Sequence, residues 1–403
     1  MVTIASPKRD PRAATGRRRF RIVGAGPTGA LLALGLAHQG YSVELIDVLA
    51  REVLVQRSRA YAITHSSRRL LLRLGLWADL AVDLTPFRAL RLDDRAIHQT
   101  TWFTLRDLRS ANRKADAIGW ILDHRPLMEL LLDRLDAEPQ VAMQLGDAVD
   151  HLPNQETSWL HDWAIAADGP RSSLRERSEI PHWSHAYQQG CLTAKVRLSG
   201  AETFTAYELF RPEGPTAVLP LGDDRFQVVW SAPLDLCRDR AGSNDADFLK
   251  GLNSILPREL SALELLDQPG AFPLELSLAP RLHRKGLLLV GESGHRCHPV
   301  GGQGLNLCWR DVSDLLDLTE KLLDGSIKPR SLPRRYTRRR IVDLLSVLLA
   351  TDLLIRFFSN RHPLLLPFRR LALFAIARQR WVRRLSLSAM TDGPGTLFTA
   401  LPE

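Results

Sequence analysis

Short apolar runs alternate with longer helical patterns at the start of the chain. The run Phe20 to Val23 is followed by a glycine-rich turn and by the apolar stretch Ala30 to Ala37. A second apolar run, Tyr41 to Ile46, comes after His38-Gln39-Gly40. Two short apolar runs on either side of a helical pattern predict a strand, a helix and a second strand parallel to the first.

The turn after the first predicted strand has the spacing G-x-G-x-x-G. Gly24 allows the sharp turn, Gly26 lets the backbone approach a phosphate, and Gly29 lets the helix pack closely on the strand. Asp47 ends the second strand, where a carboxylate can accept a hydrogen bond from a ribose hydroxyl. The alternative for Asp47 is a solvated turn residue. The pattern predicts a dinucleotide site whose first loop consists of Gly24, Ala25, Gly26, Pro27, Thr28 and Gly29.

A second glycine-rich segment, Gly291 to Asn306, follows the buried run Gly286 to Val290. Its Pro-Val-Gly-Gly-Gln-Gly loop precedes a helix that we expect to begin near Gly304 or Leu305 and to run through Leu323. A helix N-terminus presents free N–H groups and the positive end of the helix dipole, which stabilise negative charge on a reduced flavin ring. The two segments together predict that the dinucleotide is FAD.

The middle of the chain changes to short β-rich runs separated by glycine, proline and acidic turns. These runs predict a sheet domain inserted between two parts of the cofactor-binding domain. The runs are Leu192 to Leu198, Phe204 to Phe210, Ala217 to Leu221 and Phe226 to Trp230. Before them, short apolar runs at 141–149 and 159–167 predict strands of the nucleotide-binding layer.

The last part of the chain is helical and basic. After Pro333, several arginines precede the segment Ile341 to Phe358. A final segment, Leu371 to Leu387, mixes apolar residues with Arg378, Arg380, Arg383 and Arg384. Basic amphipathic helices suit an anionic membrane surface or a partner protein. They suit packing across the cofactor domain equally well.

We therefore expect an α/β protein with a Rossmann-like FAD-binding domain, an inserted β-sheet substrate domain and C-terminal helices. The expected boundaries are 1–19 for a disordered basic extension, 20–180 and 270–330 for the FAD-binding domain, 181–269 for the inserted sheet and 331–403 for the helices. The extension lacks the apolar core of a secretory signal. No stretch of about 18 uncharged apolar residues predicts a transmembrane helix, so any membrane contact is expected to be peripheral.

Composition narrows the function classes. The net charge of +9 suits nucleic acid or an anionic membrane. The basic residues form no nucleic-acid-binding motif, so we expect no nucleic acid partner, and a solvated charged surface is the alternative. Four cysteines without a disulfide spacing indicate a reducing cytoplasm. His295-Arg296-Cys297-His298 has no further ligand at a compatible spacing, so no metal is expected.

A family resemblance covers most of the chain, roughly Arg19 to Met390. The two glycine-rich segments, with Ala166-Ala167-Asp168-Gly169 between them, resemble the single-component FAD-dependent aromatic hydroxylases of the p-hydroxybenzoate hydroxylase fold. Within that group the sequence is most similar to the UbiH-like hydroxylases of ubiquinone biosynthesis. Supporting segments are Arg59 to Ile63, Leu74 to Trp77, Asp123 to Leu127, Phe210 to Pro215 and Phe358 to Asn360.

The resemblance implies roles for individual residues. Arg59 and Arg125 would lie near the FAD phosphates and ring edge, although a surface salt bridge is the alternative for each arginine. Asp168 and Gly169 would contact the cofactor and its reductant. The second segment would contribute Gly291, Glu292, Pro299, Gly301, Gly302, Gly304, Leu305 and Asn306, with Pro299, Gly301 and Gly302 lining the flavin ring.

Two positions depart from the family pattern. Glu292 stands where an aspartate is usual, and Asp47 stands where a glutamate is usual at the ribose. Each change keeps the carboxylate but alters its reach by about one methylene. We expect FAD binding to be retained, with a weaker affinity as the alternative.

The implied reaction is an aromatic monooxygenation. NAD(P)H reduces FAD transiently, and one oxygen atom of O₂ enters an electron-rich ring, here a prenylated phenol or quinone precursor. A flavin-dependent isoprenoid reductase and a non-catalytic flavoprotein of a membrane-associated biosynthetic complex are the alternatives. Candidate residues lining the substrate site are Tyr207, Phe210, Leu219, Pro220 and Trp230. Ordinary sheet core is the alternative for each of them.

Overall fold

The computed structural model describes residues 19–146, 162–359 and 364–394. Apart from Arg19, the predicted basic extension lies outside the described residues. Residues 147–161, which include the end of the predicted strand at 141–149 and the start of the one at 159–167, also lie outside them. Elements are numbered in chain order.

The first sheet is built on the predicted strand–helix–strand unit. Its strand order is β16-β17-β9-β1-β2-β8, and all neighbours are parallel except β16 and β17. Apolar residues dominate the central strands because helices cover the sheet. The strands are β1 (Arg19–Val23), β2 (Ser42–Asp47), β8 (Val141–Leu145), β9 (Asp162–Ala166), β16 (His283–Arg284) and β17 (Leu287–Leu289).

The second sheet is larger than the expected insert. Besides strands from 181–269 it contains β5, β6, β15 and β18, and β5 pairs in parallel with β11. The strands are β5 (Ala89–Asp94), β6 (Gln99–Thr104), β10 (Trp183–Ser199), β11 (Thr205–Phe210), β12 (Thr216–Pro220), β13 (Arg225–Pro233), β14 (Ser261–Leu265), β15 (Gly270–Leu278) and β18 (His295–Arg296). A third sheet has the order β3 (Ala60–Ile63), β7 (Gly119–Asp123), β4 (Leu84–Phe87).

Helices pack on both sheets. The first helix is buried all round, and a Cβ at its Gly35 would lie 2.5 Å from the Leu316 side chain. The helices are α1 (Pro27–His38), α2 (Arg51–Val55), α3 (His65–Arg73), α4 (His124–Ala137), α5 (Ser173–Arg177), α6 (Leu234–Ala241), α7 (Asp245–Ile255), α8 (Gln303–Leu323), α9 (Leu332–Phe358), α10 (Leu366–Arg378) and α11 (Arg380–Asp392).

The C-terminal region is helical. Helix α9 begins at Leu332 and includes the arginine-rich stretch before Ile341, and its Arg340 is buried in the core. The predicted final segment is two helices, which meet at Gln379 in extended backbone. No helix of the described residues is long and apolar enough to cross a membrane.

Candidate functional site

The sequence motifs meet at one edge of the first sheet. Strands β17, β9, β1 and β2 are parallel neighbours, so their carboxyl ends lie side by side. Glu292, Asp168 and Gly24 follow the first three of these strands, and Asp47 ends the fourth. Ligands of open α/β sheets bind at this kind of edge.

The three glycines of the first loop have different surroundings. Gly24 has a φ of +106°, and a Cβ there would lie 2.2 Å from the Ala167 carbonyl oxygen. A Cβ at Gly29 would lie 1.8 Å from the Gly24 carbonyl oxygen. At Gly26, which caps α1, a Cβ would meet no protein atom within 4 Å. Packing therefore requires Gly24 and Gly29, whereas Gly26 borders open space at a helix N-terminus, as a phosphate site requires.

Asp47 shapes this loop directly. One carboxylate oxygen accepts from the Ala25 N–H at 2.7 Å, and the other accepts from the Leu49 N–H at 2.8 Å. Asp47 is thus an ordered part of the loop rather than a solvated turn residue. Each oxygen keeps further acceptor capacity, which a ribose hydroxyl could use.

The second glycine-rich segment contacts the first. A Cβ at Gly291 would lie 3.0 Å from the Thr28 methyl group. The Trp309 indole of α8 donates to the Pro27 carbonyl at 3.3 Å. One continuous surface therefore joins the nucleotide loop to the start of α8.

The loop before α8 has the conformation that its glycines permit. Gly301 and Gly302 both have positive φ, at 68° and 63°. A Cβ at Gly302 would lie 2.7 Å from the Ala62 Cβ, whereas a Cβ at Gly304 would meet nothing within 4 Å. Pro299 and Leu305 are half-buried. We call residues 299–305 the flavin loop.

Asn306 holds this loop in place. Its side-chain oxygen accepts from the Thr64 N–H at 3.0 Å and from the Ser67 hydroxyl at 2.6 Å. Its side-chain nitrogen donates to the carbonyls of Ala62 at 2.6 Å and Gly302 at 2.7 Å. These bonds use both amide protons, so the side chain positions the loop and has no proton left to donate to a cofactor.

Asp168, which follows β9 at the same sheet edge, has an unsatisfied polar atom. Its Oδ1 is buried and has no hydrogen-bond partner among the described residues. Burial raises the pKa of this carboxyl above its usual value. Gly169 beside it has a φ of +84° with open space around a Cβ. A buried orphan acceptor is costly unless a ligand satisfies it, which fits a cofactor hydroxyl here.

Glu292 is half-buried and lies near two thiols. Burial, together with the nearby Glu292 charge, raises the pKa of Cys297 to about 12. The pKa of Cys308 is raised by the same two causes. Both cysteines are therefore neutral packing residues at pH 7.

The two predicted arginines, Arg59 and Arg125, have different surroundings. The Arg59 guanidinium lies 5.7 Å from the centre of the Phe272 ring. Burial raises the pKa values of Tyr61 and Cys191, and the Arg59 charge opposes both rises only in part. Arg125 is exposed, and its guanidinium donates to Glu129 at 2.9 Å. The salt-bridge alternative thus describes Arg125 in this structure.

The structure divides the predicted substrate residues between two sheet faces. Phe210 packs in a cluster with Val300 of the flavin loop, and half-buried Leu219 packs in a cluster with C-terminal Met390. Tyr207 and Trp230 belong to the core on the opposite face, which α6 and α7 cover. Both residues thus have the surroundings of the alternative, ordinary sheet core, because the sheet is buried on both sides. Pro220 pairs with Phe226 of the same core.

Two groups of polar residues were not predicted. Asp311 accepts from the Gly291 N–H at 2.8 Å, from His295 Nε2 at 2.7 Å and from Arg340 at 2.6 Å. Glu208 is a buried carboxyl in the middle of β11. An acidic residue within the apolar run Thr205–Phe210 was the available signal. Among the described ranges no group of three or more His, Cys, Asp or Glu could hold a metal.

The chain matches the family model described as FAD binding domain over residues 19–90 and 145–342. Because this match spans more than half of the chain, the protein belongs to that family. It is 30% identical to the 3-demethoxyubiquinol 3-hydroxylase of Escherichia coli K12 over 91% of this chain and 96% of that protein. It is 25% identical to human mitochondrial ubiquinone biosynthesis monooxygenase COQ6 over 86% of each chain.

A solved structure has the same fold. HpxO of Klebsiella pneumoniae, complexed with FAD and uric acid, superposes with a TM-score of 0.74 at 17% identity, covering 96% of this chain and 99% of that one. The predicted family, fold class and FAD cofactor are confirmed. The protein is an FAD-dependent oxidoreductase.

Proposed function

We propose that the protein hydroxylates the aromatic ring of a prenylated phenol or quinone precursor, with NAD(P)H as electron donor and O₂ as oxygen source. The observation that carries the proposal is the sheet face turned toward the flavin loop. Its half-buried residues Leu92, Ala217, Leu219 and Val229 are apolar, as a site for an aromatic ring requires. Relatives named 3-demethoxyubiquinol 3-hydroxylase and ubiquinone hydroxylase support the substrate class.

Bound FAD supplies the electron transfer and the activation of O₂. The chain provides binding and charge. The N-terminus of α1 beside Gly26 would favour the pyrophosphate, and Asp47 would accept from a ribose hydroxyl. Asp168 offers its unpartnered oxygen to a cofactor hydroxyl. The N-terminus of α8 places positive dipole at the flavin loop, which favours an anionic reduced ring.

The test measures whether an oxygen atom of O₂ enters the product. Purified holoprotein is given a short-chain 2-prenylphenol, NAD(P)H and isotopically labelled O₂. We expect the phenol to stimulate NAD(P)H oxidation and one labelled oxygen to enter the ring. Label that comes entirely from water, or turnover under strict anaerobiosis, contradicts the proposal.

The same experiment separates the alternatives. An isoprenoid reductase yields a product with a saturated double bond and no added oxygen. A non-catalytic flavoprotein component retains FAD but shows no phenol-stimulated NAD(P)H oxidation. Failure to bind FAD at all excludes each of these functions.

We also propose that the C-terminal helices contact an anionic membrane surface peripherally. Helix α9 exposes a stripe of apolar side chains at helical spacing, Val342, Leu345, Leu349 and Leu353. Helices α10 and α11 expose Phe368, Leu371, Phe374, Trp381 and Leu385. Exposed Arg370, Arg378 and Arg380 lie among them. Apolar side chains flanked by cations suit insertion at anionic headgroups, and they would bring a polyprenyl substrate to the site.

A further inference from the structure

Glu208 lies on the sheet face that is turned toward the flavin loop. It shares its face of β11 with Ala206 and Phe210, whereas Tyr207 and Leu209 point into the core under α6 and α7. Glu208 is buried, with 8% of its surface exposed. Its strand partners are Leu92 on β5 and Ala217 on β12, so its direct neighbours in the sheet are apolar.

The flavin loop lies close to Glu208. The backbone of Gly301 lies near enough to the carboxylate to lower its pKa, and Phe210 on the same face packs in a cluster with Val300 of this loop. Burial raises the pKa of Glu208 to about 7, and the effect of Gly301 opposes this rise only in part. A carboxyl with this pKa can both accept and return a proton near neutral pH.

The surrounding titratable groups leave Glu208 as the acid–base candidate on this face. On β10, burial raises the pKa of the Cys191 thiol to about 12. Lys195 on the same strand is held by Asp123 at 2.6 Å. At the end of β5, buried Asp94 pairs with Arg369 of α10. From α11, apolar Leu387 and Met390 pack toward this side of the sheet.

We propose that Glu208 is the acid–base residue of the substrate site and takes the ring-hydroxyl proton of a phenolic substrate bound against the flavin loop. This inference rests on the proposed function. The phenol O–H bond breaks, and a new O–H bond forms on the Glu208 carboxylate. The electron pair stays on the phenolate oxygen and enriches the ring carbons that accept oxygen. The step involves no oxidation, and the proton returns to the product.

The first test measures binding and needs no turnover. Two probes, a short-chain 2-prenylphenol and its methyl ether, are titrated into oxidised holoprotein, and the flavin absorbance change is followed between about pH 5 and pH 9. Only the phenol can donate to a carboxylate. We expect the affinity ratio of phenol to ether to rise about tenfold as the pH passes through the Glu208 pKa. A ratio that stays flat in the parent protein overturns the inference.

The second test uses the isosteric variant Glu208→Gln, with Glu264→Gln as the matched control. Glu264 carries the same change on exposed strand β14, where it pairs with Arg197. We expect Glu208→Gln to keep its FAD, to lose the pH-dependent ratio and to hydroxylate about 100-fold more slowly, with NAD(P)H oxidation continuing. Unchanged ratio and rate in Glu208→Gln contradict the proposed role.

The outcomes separate the inference from the proposed function. If the parent binds neither probe, the proposed substrate class is wrong and the inference fails with it. If the parent binds both probes with a flat ratio, only the role of Glu208 is wrong. If Glu208→Gln loses FAD, the phenol-to-ether affinity ratio is compared between the parent and Glu208→Asp instead. Glu208→Asp keeps the carboxylate but shortens its reach.

Discussion

The Arg340 guanidinium donates to the Asp311 carboxylate at 2.6 Å, and neither side chain is more than 2% exposed. Asp311 also accepts from the Gly291 N–H, so this pair connects α9 to the turn that begins the second glycine-rich segment. The pKa of Asp311 stays below its usual value, because the charges of His295 and Arg340 together outweigh the effect of burial. Helix α9 thus stabilises the turn at Gly291, which begins the second glycine-rich segment of the site.

Removing this pair tests its contribution to stability. We expect Arg340→Ala to lower the free energy of unfolding by about 3–5 kcal/mol, because it leaves a buried carboxylate uncompensated. Urea denaturation at saturating FAD measures the loss. The matched control is Arg339→Ala, one residue earlier and 41% exposed, which should cost about 0–1 kcal/mol. Equal losses in the two variants would mean that the buried pair has no special role.

The glycine loop separates cofactor binding from packing. Gly26→Val should leave the stability of the FAD-free protein nearly unchanged, because a Cβ there meets no protein atom within 4 Å. It should lower FAD occupancy about tenfold or more, because the side chain would fill the space for the pyrophosphate. Absorbance of the extracted flavin measures occupancy, and equal occupancy in variant and parent would place the phosphates elsewhere.

The control for this prediction is Gly29→Ala. Its Cβ would lie 1.8 Å from a backbone oxygen. We expect it to destabilise the FAD-free protein by about 1–3 kcal/mol through overpacking. Thermal unfolding without FAD should therefore rank Gly29→Ala below Gly26→Val.

Glu208 predicts a pH dependence of stability that is independent of catalysis. Its pKa is raised from 4.5 to about 7 in the folded protein, so the folded state holds a proton that the unfolded state releases in this window. Parent stability should therefore fall as the pH rises from about 4.5 to 7, by up to about 3 kcal/mol. Glu208→Gln removes this pH-dependent contribution to stability, because the glutamine side chain does not titrate. Urea titrations give the free energy of unfolding of each protein. The value for Glu208→Gln minus the value for the parent should grow from about pH 4.5 to 7 and stay constant above pH 7.

The exposed C-terminal face predicts salt-sensitive membrane binding. Neutralising Arg370, Arg378 and Arg380 should weaken flotation with anionic vesicles, since each basic group contributes about 1 kcal/mol near such a surface at low salt. Arg383 is the control, because it pairs with Asp107 at 3.0 Å and serves packing. Unchanged flotation of the folded triple variant would exclude this face as the membrane contact.

The sequence by itself determined the cofactor edge of the fold. The local spacing of Gly24, Gly26, Gly29 and Asp47 dictates a turn, a helix start and a strand end, because these conformations depend on residues close in the chain. The second glycine-rich segment was recognisable for the same reason. Family, fold class and FAD followed from these segments together.

Only the tertiary structure decided which side chains face the flavin loop. Strand β11 is buried on both sides, so its apolar pattern does not distinguish Phe210, which lies on the flavin-loop side, from Tyr207, which lies in the core behind. In the sequence, the run of arginines before Ile341 could not be distinguished from a charged surface. In the structure, Arg340 of α9 is buried and pairs with Asp311. Strand β5 joined the second sheet by pairing with a strand distant in sequence. Such contacts depend on packing between remote segments, which local patterns do not encode.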